Sequence, residues 1–123
     1  MSANVKFGDD KYAGLIQVAS ESDRFLFAAF ITLAEWQEWN NGEETTLSEE
    51  QLNRFLDGLT TILKDDGSYV EVLFGWDKYA GRLTRLTQDQ ALVEIAEWSD
   101  WNNAVEAVIN ADSAREILAL FNR

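Results

Sequence analysis

The chain has 123 residues, 46% of them hydrophobic, with seven Phe and five Trp. That is enough apolar material for a single domain with a core and unlike a disordered chain. Its 22 acidic and 10 basic residues give a net charge of −12, and it has no Cys, His or Pro. These counts argue against binding to phosphate backbones or anionic lipids, against disulfides, and against thiolate, imidazole or Cys/His-zinc chemistry.

Met1-Ser2-Ala3-Asn4-Val5-Lys6 is not followed by an apolar run, so no signal peptide is expected. The longest apolar stretch, Phe25 to Ala34, is broken by Thr32 and is far short of the ~20 residues of a membrane span. A cytoplasmic location is expected, or the host cytoplasm for a viral protein.

In chain order, Val5 and Phe7 followed by Tyr12, Leu15, Ile16 and Val18, around Gly8-Asp9-Asp10, predict a β-hairpin. Ser22 or Asp23 is a candidate cap for a central helix running to Asn40, ended by Asn40-Asn41-Gly42. Ser48 with Gln51 has the spacing of a capping box, and Leu52, Phe55, Leu56, Leu59, Ile62 and Leu63 form the apolar stripe of the helix behind it. Asp65-Asp66-Gly67 stops that helix.

A second hairpin is expected from Tyr69–Phe74, a turn at Gly75–Asp77 and a return over Tyr79–Thr84. Thr87 with Gln90 has capping-box spacing, and Leu92, Ile95, Trp98, Trp101, Val105 and Val108 recur at helical intervals. A last short helix is expected over Asp112–Phe121.

Three echoes connect the two halves of the chain. Phe7-Gly8-Asp9-Asp10-Lys11-Tyr12-Ala13-Gly14 returns 67 residues later as Phe74-Gly75-Trp76-Asp77-Lys78-Tyr79-Ala80-Gly81. Ala34-Glu35-Trp36-Gln37-Glu38-Trp39-Asn40-Asn41 returns 62 residues later as Ala96-Glu97-Trp98-Ser99-Asp100-Trp101-Asn102-Asn103. Leu52, Phe55, Leu56 and Leu59 share their spacing with Ala114, Ile117, Leu118 and Phe121, again 62 apart. These echoes predict an α+β fold made of duplicated ββαα units, with antiparallel hairpins covered by helices. The whole of 1–123 is read as one domain with halves at about 1–67 and 68–123.

The candidate sites are few. Glu35 with Glu38, and Glu97 with Asp100, are carboxylate pairs three apart, but acid–base hydrolysis needs two carboxylates across a cleft, one with a raised pKa. Asp65-Asp66-Gly67-Ser68 with Glu71 lacks the alternating ligands of a calcium loop. Gly8, Gly14, Gly75 and Gly81 form no phosphate-binding motif and read as turn or tight-strand positions. No catalytic residue, metal site or cofactor is assigned.

The tryptophans are the candidate protein-binding residues. Trp36/Trp39 and Trp98/Trp101 stand three apart and would share a helix face, where the alternative role is to pack the halves together. Trp76, at the predicted hairpin tip where its twin is Asp9, is the leading candidate for an exposed anchor. Glu35, Glu38, Glu43, Glu44, Glu49 and Glu50 form an acidic segment without an intervening Lys or Arg.

The function expected is that of a non-catalytic acidic protein-binding or assembly module, which includes a small component of a larger assembly such as a viral particle. Its partner would be another protein or a copy of itself, not nucleic acid or membrane. The alternatives are an inhibitor that mimics nucleic acid in a basic groove, marked by rows of acids on a convex face, and a carboxylate-dependent hydrolase, marked by a deep cleft with two acids.

Overall fold

The computed structural model describes residues 4–8, 11–20, 26–36, 38–64, 67–76 and 78–123, with the Trp76 side chain outside the description. The first sheet holds β1 (Asn4–Phe7), β2 (Tyr12–Val18), β3 (Ala29–Glu35) and β4 (Glu43–Leu47), followed by helix α1 (Glu49–Lys64). The second holds β5 (Glu71–Trp76), β6 (Tyr79–Thr87), β7 (Gln90–Glu97) and β8 (Val105–Ile109), followed by α2 (Ala111–Leu120). Each sheet is a four-stranded antiparallel meander in chain order.

The fold is therefore mixed α+β, but the expected ββαα unit is not what forms. The order is ββββα in each half. The central helix expected up to Asn40 is replaced by β3 and a 3-10 turn at Trp39–Asn41, and its proposed caps, Ser22 and Asp23, lie outside the described residues. The helix expected after Thr87 is likewise β7, a 3-10 turn at Trp101–Asn103, and β8. Thr87 pairs with Gln90 across the two-residue turn Gln88-Asp89. The i, i+3 spacing of a capping box is also the spacing across a two-residue hairpin turn, and here the hairpin forms.

Burial on both faces hid these strands. In β3, Ala29, Ile31 and Leu33 face the core, yet Phe30 and Thr32 on the other face are half-buried and Ala34 is buried. An apolar run without alternation cannot be assigned to strand or helix by its period. The apparent helical stripe of the second half is a hairpin pattern, in which Leu92 lies opposite Val108 and Ile95 opposite Val105.

The expected features that rest on local chemistry are present. Ser48 N donates to Gln51 Oε1 at 3.0 Å and Gln51 N donates to Ser48 Oγ at 3.2 Å, a complete capping box opening α1. Asn110 caps α2, its side chain accepting from Ser113 N at 2.9 Å.

The core lies between the sheets and the buried stripes of the two helices. Packing is reciprocal. Helix α1 of the first half lies against β5 of the second, α2 lies against β1, and the helices meet. Strand β4 lies against β5 and β6, and β8 against β1, β2 and β3. Phe55 on α1 meets Phe74 on β5 edge-on, with centroids 5.5 Å apart. Arg85 pins the connection after α1, donating to the carbonyls of Thr61, Ser68 and Gln88 at 3.1, 2.8 and 3.0 Å. Among the described residues, no helix is long and apolar enough to cross a membrane.

Candidate functional site

The two longest echoes meet in space in each half. In the first sheet Tyr12 pairs with Glu35, Ala13 with Ala34 and Gly14 with Leu33; in the second Tyr79 pairs with Glu97, Ala80 with Ala96 and Gly81 with Ile95. Each motif therefore supplies half of one local constellation at one end of a sheet.

Most of that constellation serves the fold. Phe7 lies across the ladder from Gly14, and Phe74 from Gly81. A Cβ on either glycine would run into the phenylalanine ring, so the ring fills the place a side chain would take. Gly8 and Gly75 have φ of +104° and +123°, and a Cβ there would meet the neighbouring strand's backbone, so both the dihedral and the space require glycine.

The Trp-bearing segments form matching turns. Glu38 N donates to Glu35 O at 3.0 Å and Asp100 N to Glu97 O at 3.0 Å; Gly42 N donates to Trp39 O at 3.2 Å and Ala104 N to Trp101 O at 3.3 Å. The first turn folds back on the outer face of its sheet, where a Cβ on Gly42 would come within 3.3 Å of the Ala34 Cβ. This explains why Ala34 is buried where Phe30 and Thr32, on the same face, are only half-buried.

The tryptophans do not share a helix face. In each pair the second is half-buried beside a cation on the outer face of its sheet. Lys6 Nζ lies 5.9 Å from the Trp39 ring centre and the Arg82 guanidinium 4.6 Å from that of Trp101. The first member is exposed, Trp36 by 44% and Trp98 by 50%. Trp76 is the last residue of β5 and pairs with Tyr79, so it lies within the strand ladder and not at the hairpin tip. Gly75 bends the end of β5 but does not end it. The side chain of Trp76, and hence its expected exposure, lies outside the described residues.

A charged pair flanks each exposed tryptophan. Lys11 Nζ lies 3.2 Å from Glu35 Oε1 and Lys78 Nζ 3.2 Å from Glu97 Oε1. Each ammonium also sits 5.4 Å from the adjoining tyrosine ring centre, Tyr12 or Tyr79. The bond to Glu35 raises Lys11 above its ordinary pKa, and the bond to Lys11, then that to Glu38, holds Glu35 below the usual carboxylate range. These groups are solvated, and their attraction is screened by salt.

The remaining acidic candidates are spread out. Glu38, Glu44, Glu49 and Glu50 are exposed, with Glu50 paired to Arg54 at 2.6 Å. Glu43 is half-buried at the seam between the halves, where its carboxylate accepts from Tyr79 and raises the phenol above its ordinary pKa. Glu43→Val is expected to lower the Tyr79 pKa toward the ordinary tyrosine range, roughly 10. Ultraviolet titration of the phenolates reads this directly, and an unchanged Tyr79 transition would place the cause elsewhere.

Sequence reasoning missed the Arg82–Glu94 pair. Both Arg82 Nε and Nη2 donate to Glu94 Oε1, at 3.0 and 2.8 Å, under Trp101. Glu94 is only 9% exposed. Its only sequence signal was a charge inside an apolar run.

A half-enclosed cleft of about 190 Å³ opens beside Tyr12, lined by Leu33, Ala34, Glu35, Glu38, Asn41 and Val105. Among the described residues no group of three or more acidic side chains stands ready to hold a metal ion. No family model, curated protein or solved structure matches the chain.

Proposed function

We propose that the protein is a non-catalytic binding module that docks another protein through the Trp36 and Trp98 turns. The observation that carries this is an exposed indole repeated at equivalent turns in both halves. Several other repeated residues serve packing: the phenylalanines lie over glycines, and the second tryptophans lie beside cations. Exposed indoles carry a solubility cost and are enriched where interfaces concentrate their energy. We read the halves as two copies of one ancestral unit that keeps this surface twice.

The lowered pKa of Glu35 supports a non-catalytic role. A general acid beside Glu38 would need a raised pKa, whereas Lys11 stabilises the carboxylate.

Trp36→Asp, Trp98→Asp and the double variant test the reading. Each single variant is expected to stay within about 1 kcal/mol of the parent in urea unfolding. The double variant is expected to lose binding by ~2 kcal/mol or more, about thirty-fold. Sedimentation velocity reads self-association, and quantitative capture from the source lysate reads a second protein. Binding that survives the double variant unchanged would sink the proposal. The exposure of Glu38, Glu44, Glu49 and Glu50 favours one alternative, mimicry of nucleic acid. That reading replaces the first if their joint change to Gln abolishes binding while the tryptophan variants keep it.

A further inference from the structure

We infer that the cleft beside Tyr12 receives a cationic side chain, Lys or Arg, from the protein docked on the Trp36 turn; this rests on the protein-binding reading of that turn. The chain supplies its own comparison, because the surroundings of Tyr12 recur around Tyr79. At Tyr79 the first half supplies two polar partners. Glu43 accepts from the phenol, and Thr45 Oγ1 donates to the Tyr79 carbonyl at 2.9 Å. By the 62-residue offset, the residues equivalent to Glu43 and Thr45 are Val105 and Ala107. Neither side chain can donate or accept a hydrogen bond, and beside Tyr12 a space of about 190 Å³ remains.

The lining selects the occupant. The half-buried Tyr12 and Val105 give apolar surface suited to the methylene stem of Lys or Arg, and Glu35, Glu38 and Asn41 meet its head. Lys11 offsets one of the two carboxylates. The second differs from its twin, because Asp100 accepts from Asn103 Nδ2 at 3.1 and 3.3 Å, whereas Glu38 bonds to Glu35 and lines the cleft with it. One added cation completes the rim. An anion would meet two carboxylates on a chain of net charge −12.

The test uses the full chain and two small probes, N-acetyl-arginine methylamide and its neutral isostere N-acetyl-citrulline methylamide, followed by amide chemical shifts in NMR titrations. The arginine probe is expected to shift Leu33, Glu38, Asn41 and Val105 and to bind about five-fold or more tighter than the citrulline probe. Val105→Glu places the twin's carboxylate beside Tyr12, where it takes up the space of the cleft, and is expected to abolish those shifts. Diffuse attraction to an acidic surface would instead strengthen with the added charge, so the two explanations have opposite signs. Val105→Leu fills the cleft without a charge and is expected to give the same loss should Val105→Glu fold poorly. Equal affinity for the two probes, or binding retained in the folded cleft-filling variants, overturns the inference. The probes need no partner, so the two readings fail separately. Partner binding lost in the double tryptophan variant with no probe binding overturns the cleft alone. Probe binding with partner capture unchanged in that variant overturns the tryptophan surface.

Discussion

Replacing Arg82 with alanine is expected to destabilise the fold by about 3 kcal/mol or more, a large effect for a residue on an outer sheet face. The cause is the carboxylate left behind. Glu94 is 9% exposed and accepts two hydrogen bonds from Arg82, so the variant strands a charge with little access to water. Glu94→Ala is expected to cost less, because the Arg82 side chain is 28% exposed and can turn its head toward solvent. The first half shows how to separate the value of the pair from the penalty of breaking it. The positions equivalent to Arg82 and Glu94 are Leu15 and Thr32, which face each other in the same register. The double variant Arg82→Leu/Glu94→Thr is therefore expected to recover to within about 1 kcal/mol of the parent in urea unfolding. A double variant no more stable than the worse single one would show that the pair itself, and not the stranded charge, stabilises the sheet.

Phe74→Ala is expected to cost about 4 kcal/mol. The ring is fully buried, meets Phe55 of α1 edge-on, and fills the space above Gly81. Its loss removes the contact by which the helix of one half holds the sheet of the other, together with the cover of the glycine. Gly81→Ala supplies the complementary measurement. Alone it forces the Phe74 ring aside and is expected to cost about 2 kcal/mol. In the Phe74→Ala background the same change fills part of the cavity, and its cost is expected to vanish or reverse sign. Equal effects of Gly81→Ala in the two backgrounds, measured by chemical denaturation, would contradict the ring-over-glycine arrangement.

The protein-binding reading draws on the same comparison between halves. A feature kept in both halves and explained by packing tells little about a partner. The repeated Phe-Gly hairpin is of that kind, although it is the longest match in the sequence. Trp36 and Trp98 recur at equivalent turns and are exposed in both halves. The differences between the halves are equally informative. Arg82 and Glu94 stand where the first half has an uncharged pair, and Val105 stands where it has Glu43, which accepts from Tyr79.

The sequence by itself determined the features that depend on a few neighbouring residues. The Ser48–Gln51 box opened α1 because both partners lie within one turn of each other. The first strand pair of each half was legible from its glycines and flanking β-formers, and the echoes marked which residues would stand at equivalent places. Only the tertiary structure decided the state of the tryptophan segments. Ala29–Glu35 and Gln90–Glu97 are covered on both faces, by the core on one side and by a folded-back turn or an Arg–tryptophan stack on the other. Double-sided burial removes the alternation that marks a strand, and a hairpin centred near residue 100 then imitates helical spacing. The cleft was invisible for a related reason. Tyr12 and Val105 lie in different halves, and they meet because each half packs against the strands of the other; no local pattern encodes that contact.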